Sequence, residues 1–351
     1  MKILIIGSSY SARVFANYLA ENDLYDVYAT FEGTDAKYIG CDSSECEKVK
    51  NFAIENNVIL SIVCDRDSID KNYFMLFVEN NLTIFSPYPE SAKIAFSRAS
   101  AKKFMYKNKI PTPKFGVFEK PQAAIDWARE ENVPIVVKTD SYEEKGLESI
   151  ICQTFPKTKK AIEKFFEAGI KQIVLEHFIE GQNYTLYIIS DGFNSLDFDY
   201  CTTYKNKYSF LGANYIDDKL KEKIQNEVVA PTISSLVEYQ EDYMGILGID
   251  FIIDKQGKPQ VLGYCPFFKD IDVELFVASI QDDIVEVLNS AIIGTLLESY
   301  KYITKSDINL LAARNSERKI LTVYARTPNE AKEKILEENQ EEFKEVETWQ
   351  I

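Results

Sequence analysis

The chain opens on KILIIG at 2–7, a β-branched apolar run ending in glycine, and then changes period. SARVFANYLAEN spaces its apolar residues as one face of a helix. A strand buried on both faces followed by an amphipathic helix is the first βα unit of a doubly wound sheet. Apolar runs DVYATF (26–31), LSIVC (60–64) and LTIFS (82–86), separated by helical stretches, predict three more parallel strands, so residues 1–90 are expected to form an α/β domain. A helix is predicted from about Ser91, and the two prolines of IPTPKFGVF break it ahead of an extended strand. Strands PIVVK (134–138), SIICQ (149–153) and QIVLEHF (172–178) then alternate with helices QAAIDWAREEN and KTKKAIEKFFEAG.

Across 183–215 aromatic and polar residues alternate, predicting antiparallel strands that turn at Asp191-Gly192 and around Lys207. A long amphipathic helix, DDKLKEKIQNEVVAPTISSLVEYQ, leads to the hairpin GILGIDFIIDKQGKPQVLGYC, turning at Lys255-Gln256-Gly257. After residue 310 one clear strand is predicted, KILTVYA (319–325), with a helix started by Thr327-Pro328. The order implies an α/β domain followed by an α+β one, residues 91–300, and a small C-terminal α+β unit, 301–351.

Composition narrows the function classes. With 46% hydrophobic residues in 351, the chain buries a substantial core. No run approaches the roughly 18 apolar residues of a membrane helix, and MKILIIGSSYSARVF has no signal-peptide cleavage pattern, so a cytoplasmic protein without a membrane partner is expected. Lys and Arg total 40 against 55 Asp and Glu, a formal charge of −15 that disfavours nucleic acid. The six cysteines form no C-x-x-C pair, and the one histidine, His177, rules out His-based metal triads.

Five places carry candidate chemistry. Lys138 ends an apolar strand, where an ammonium calls for an anion such as phosphate or else reaches past the sheet to water. The loop after it, SYEEKGLES, has one glycine, Gly146, beside Lys145, which is thin for a phosphate cradle and reads equally as a plain hairpin loop. Glu176, His177 and Phe178 end a strand, Gly181 turns the chain and Asn183 opens the next strand; such a corner either pairs with an adenine edge or is simply solvated. Asp250 interrupts GILGIDFII and either faces solvent or binds a cation, most simply Mg²⁺ with a nucleotide, whereas helix N-capping accounts for Asp270 and Asp272. Gly7, Ser8 and Ser9 resemble an anion-binding strand-to-helix turn but lack G-x-G-x-x-G spacing.

Taken in order, KILIIGS, NFAIENNVILSIV, ENNLTIFSPYPESAKIAFSRASAKKFM, NKIPTPKFGVFEKPQAAIDWA, PIVVKTD, VLEHFIEGQNYTLYIISDG and KILTVYARTPNEAKEKI resemble the phosphoribosylamine-glycine ligase family of ATP-grasp ligases almost from end to end. The resemblance implies an ATP-grasp fold with an N-terminal doubly wound domain, a mobile small subdomain at 112–182, and ATP held between two α+β subdomains. It implies ATP as cofactor with Mg²⁺, and small-molecule carboxylate and amine substrates. By that likeness Arg98 and Lys138 clamp phosphates with Lys145 in the phosphate loop, Glu176 and Phe178 form the adenine hinge, and Asn183 replaces the ribose carboxylate. The pattern departs elsewhere: the family's G-G-R-E-H-A turn is SSYSAR, its G-P-E-A-P-L motif is CDRDSID (64–70), its glycine-rich phosphate loop has shrunk to SYEEKG, and its metal-binding E-F-N-C-R is Gly263, Tyr264, Cys265, Pro266, Phe267. A relocated metal site on Asp250, with Asp270, is the implied compensation. Three functions follow: a carboxylate–amine ligase with altered substrates, a non-catalytic nucleotide-binding paralogue, or the purine-pathway ligase itself.

Overall fold

The computed structural model describes residues 1–131, 134–141, 149–204, 207–212, 216–238, 242–300, 303–305, 309–315 and 320–348. The first sheet contains β1 (Lys2–Ile6), β2 (Asp26–Ala29), β3 (Lys37–Tyr38), β4 (Leu60–Val63) and β5 (Ile84–Phe85), all parallel, in the order β3-β2-β1-β4-β5. The four strands expected from the apolar runs are present. The two-residue edge strand β3 was not anticipated, because both its residues are exposed and leave no apolar signature.

The helix expected from Ser91 is two helices, Pro89–Phe96 and Arg98–Lys107, broken at Ser97. Ser97 is extended (φ −125°, ψ 119°); its hydroxyl accepts from Ser100 N at 3.0 Å and donates to Asp140 Oδ1 at 2.8 Å. Asp140 Oδ1 also accepts from Ala99 N at 2.7 Å. A residue 43 positions downstream thus satisfies orphan N–H groups of the second helix, a tertiary cap that local sequence cannot announce.

The second sheet contains β6 (Phe115–Phe118), β7 (Ile135–Thr139), β8 (Ser149–Cys152) and β9 (Ile173–His177), antiparallel in the order β6-β9-β7-β8. Helices Pro121–Glu131 and Phe155–Glu167 cover one face, burying Ala124, Ile125, Ala161 and Phe165 against Ile135, Val137 and Leu175. The other face is open to the cavity described below.

The third sheet has seven strands: β10 (Gly181–Asp191), β11 (Ser195–Tyr204), β12 (Tyr208–Gly212), β13 (Met244–Asp254), β14 (Pro259–Pro266), β15 (Asn309–Arg314) and β16 (Ile320–Ala325). Their order is β14-β13-β10-β11-β12-β15-β16. Gly192 (φ +98°) and Gly257 (φ +71°) stand in two of the three expected turns. One strand was expected after residue 310, and there are two: β15 pairs with β12 and β16, so the C-terminal segment continues this sheet. The helix at 327–338 starts as expected, with Thr327 Oγ1 accepting from Glu330 N at 3.2 Å.

Residues Asp218–Glu238 are helical as predicted, but Gln225–Val229 widen into a π turn. Pro231 stands two residues after this turn; its ring has no N–H to donate and crowds the preceding turn, which the wider turn accommodates. Asp272 corrects another expectation. It is fully buried, with Oδ2 accepting from Tyr187 OH at 2.7 Å and Oδ1 from Ser209 Oγ at 2.6 Å, and the N-cap of its helix is Ile271. Its carboxylate joins the helix to β10 and β12 instead of capping.

Candidate functional site

Between the open face of the four-stranded sheet and the β14-β13-β10 side of the seven-stranded sheet lies a cavity of about 570 Å³. Six of the residues singled out from the sequence line it: Arg98, Lys138, Glu176, Phe178, Asn183 and Asp250. They come from a helix start, β7, the end of β9, the corner after it, β10 and β13, segments that only the packed sheets bring together. Lys145 lies outside the described residues, as does most of the loop around it.

Glu176 is the centre. Its side chain is 2% exposed; Oε1 meets the ammonium of Lys138 and Oε2 meets that of Lys102 at 2.7 Å. Burial alone would raise this carboxyl, but the two ammonium groups and their hydrogen bonds outweigh it and hold Glu176 at about 2. Lys102 is 1% exposed and also donates to Thr112 Oγ1 at 2.7 Å and Val261 O at 3.2 Å. Burial brings it down to about 8, against the pull of Glu176 and with the push of Lys138.

Lys102 escaped the sequence reading. It sits four residues after Arg98 and three before Met105, on the buried face of the helix, while its neighbour Lys103 is exposed. A lysine at helical spacing within an apolar face was the available signal.

Arg98 is also buried. Its Nη1 donates to Thr139 O (2.8 Å), Thr139 Oγ1 (3.0 Å) and Ser141 O (2.8 Å), and its own N–H donates to Asp140 O (3.0 Å). The guanidinium thus locks the helix start onto the end of β7 and fixes a positive charge in the cavity wall. Lys138, 13% exposed, presents the second.

The corner after β9 is tied down by Phe178 N donating to Pro134 O at 2.9 Å. Gly181, expected to turn the chain, is already in the strand and has no positive φ. It is the first residue of β10, where a Cβ would stand 2.0 Å from Ile253 O, so close strand approach is what requires glycine. Asn183 O accepts from Thr202 Oγ1 at 2.8 Å, and its exposed side chain lies at the cavity. His177 has a partner, Glu131 Oε2 at 2.7 Å, in keeping with a satisfied histidine.

The expected cation pair does not assemble. Asp250 lines the cavity, but Asp270 lines a separate cleft of about 360 Å³ with Ser8, Ser11, Asp65 and Asp67, where it faces Arg314 at 3.8 Å. Asp250 Oδ1 is engaged by the ammonium of Lys269 and by Thr185 Oγ1 at 2.6 Å. Directly across the β13–β14 ladder stands Gly263, with no side chain. Among the described residues no three His, Cys, Asp or Glu side chains gather to hold a metal. A divalent cation at a nucleotide takes one or two carboxylates together with phosphate and water oxygens, and Asp250 is already paired with an ammonium that repels such a cation.

The turn at Gly7 (φ +148°) is filled from within. Ser8 N and Ser9 N donate to Asp65 Oδ2 at 2.5 and 3.3 Å, and a Cβ on Gly7 would come within 2.7 Å of that oxygen. The N–H groups that resembled an anion site already hold the chain's own carboxylate.

Residues 96–273 match the family described as phosphoribosylglycinamide synthetase, ATP-grasp (A) domain. The phosphoribosylamine–glycine ligase of Clostridium acetobutylicum is 26% identical over 313 residues, covering 83% of this chain and 75% of that protein. That of Vibrio cholerae is 25% identical over 320 residues, covering 84% and 74%. Among solved structures, the phosphoribosylamine–glycine ligase of Thermotoga maritima superposes with a TM-score of 0.76 at 18% identity over 96% of both chains. The ADP complex of an N5-carboxyaminoimidazole ribonucleotide synthetase gives 0.72 at 12% identity, covering 97% of this chain and 98% of that one.

Proposed function

The chain belongs to the phosphoribosylglycinamide synthetase ATP-grasp (A) domain family and has the ATP-grasp fold, and from that premise we propose that it is an ATP-dependent carboxylate–amine ligase with altered substrates. One observation carries this reading: Arg98, Lys138, Glu176, Phe178 and Asn183 line one cavity. In it the nucleotide lies with phosphates toward Arg98 and Lys138, and its base beside Phe178 and the backbone of the corner. Lys102 has the role that the sequence did not suggest. It balances Glu176 from behind, so that Lys138 can turn from the carboxylate to a phosphate without leaving a buried charge unpaired. The reaction class is acyl transfer: a carboxylate oxygen attacks the γ-phosphorus and ADP leaves, then an amine attacks the acyl carbon and phosphate leaves. The donor set at Asp250, paired with the Lys269 ammonium, does not fit Mg²⁺.

The separate cleft supports the change of substrate. Asp65 fills the strand-to-helix turn with a carboxylate, and Asp67 and Asp270 line the same cleft. Arg66 lines the cleft against these three carboxylates, so an amine bearing a phosphate would meet net like charge there, whereas an unphosphorylated amine would not.

A second reading, a nucleotide-binding protein without turnover, is favoured by the Lys269–Asp250 contact, which puts an ammonium against the cavity's acidic metal candidate. ADP release measured with ATP and Mg²⁺ across mixtures of amino acids and amines separates the two. Release that needs both an acid and an amine supports the ligase; ATP binding without release in any mixture supports the second reading; no ATP or ADP binding overturns both.

A further inference from the structure

We propose that Lys269 serves this cavity as a built-in cation in the place of a divalent metal at Asp250, so that the cavity takes a nucleoside polyphosphate without metal. The inference rests on the nucleotide reading above and adds what neutralises the phosphates.

Lys269 is held at both ends. Its backbone N–H donates to Tyr187 OH at 3.1 Å, and that hydroxyl donates to the buried Asp272 at 2.7 Å, so the root of the side chain is fixed to β10 and to the start of the helix Asp272–Ser279. Its ammonium enters the cavity, ion-paired to Asp250 Oδ1 and 3.1 Å from Thr185 Oγ1. An ammonium has three N–H donors, and these two oxygens account for two.

The surroundings favour this ammonium over a metal. Mg²⁺ requires near-octahedral oxygen ligands at about 2.0–2.1 Å. Gly263, opposite Asp250, offers no side chain, and Cys265 lines the separate cleft. Glu176, the buried carboxylate of the cavity lining, is engaged by Lys102 and Lys138. A divalent ion on Asp250 would also sit against the Lys269 charge, which repels it. Arg98 and Lys138 from one side and Lys269 from the other set three fixed cations around one cavity, and a polyphosphate supplies the complementary anion.

The test is calorimetric titration of the full chain with ADP and with ATP, in EDTA and in excess Mg²⁺, for the wild type, Lys269→Met and Lys269→Arg. The wild type should bind with affinities that differ by less than about threefold between the two conditions. Lys269→Met should lose about tenfold or more in EDTA, a loss of about 1.4 kcal/mol, and Lys269→Arg should retain most of the affinity. Wild-type binding that collapses in EDTA overturns the inference, as does Lys269→Met binding like the wild type in EDTA. Should Lys269→Met not fold, Lys269→Gln takes its place with the same expectations. A wild type that binds neither nucleotide in either condition removes the nucleotide reading itself, a distinct outcome.

Discussion

Replacing Lys102 by Met removes one ammonium from a fully buried cluster and leaves the stem in place. Three contacts of the ammonium are lost: Glu176 Oε2 at 2.7 Å, Thr112 Oγ1 at 2.7 Å and Val261 O at 3.2 Å. Thr112 Oγ1 itself donates to Val261 O at 2.7 Å, so that carbonyl keeps a donor. The cost therefore concentrates on Glu176, which keeps only Lys138. Removing one partner of a buried ion pair costs roughly 3–5 kcal/mol, and the remaining lysine places this case at the lower end, about 3 kcal/mol. Urea unfolding followed by tryptophan fluorescence measures it. Lys102→Met/Lys138→Met/Glu176→Gln, which removes all three charges, should lie within about 1 kcal/mol of the wild type, because a buried ion cluster replaced as a whole is close to neutral. A Lys102→Met loss below about 0.5 kcal/mol, or a triple variant no better than the single one, refutes the charge-balance argument. The pH dependence supplies a further check. Folded Lys102 titrates at about 8, below the ~10.4 of an unfolded lysine. Between those values the unfolded chain binds more protons, so the contribution of Lys102 to stability rises with pH across that window. Lys102→Met should lack that rise.

Asp197, half-buried on β11, is pushed up to about 6, first by burial and then by the charge of Asp199, with Lys221 opposing. Between about pH 4 and 6 the folded state binds the extra proton, so stability falls as pH rises through that range, and Asp197→Asn should stabilise by about 1 kcal/mol at pH 7.5 and by nothing at pH 4 in paired urea titrations. Gly181→Ala drives a methyl into Ile253 O and should cost about 2 kcal/mol or more while weakening ADP binding at the cavity rim, both read by thermal shift with and without ADP. Ser97→Ala removes the hydroxyl that joins Asp140 to the second helix and should cost about 1 kcal/mol in the same urea assay; an unchanged midpoint would show that Asp140 caps that helix alone.

The sequence by itself determined the fold class and most of its elements. Period and punctuation are local properties: KILIIG before an amphipathic helix, prolines at 111 and 113, glycines at 192 and 257, and the Thr327-Pro328 cap each act within a few residues of themselves. Long-range order in the motif series carried the family, and with it the candidates Arg98, Lys138, Glu176, Phe178, Asn183 and Asp250. The tertiary structure decided what each of these touches. Lys102 meets Glu176 across 74 positions, Asp65 reaches Ser8 across 57, and Asp250 is paired with Lys269 while Asp270 faces another cleft. Burial and charge pairing depend on which segments pack together, so one lysine can be a solvated surface group in the sequence and the hidden counterion of the site in the fold.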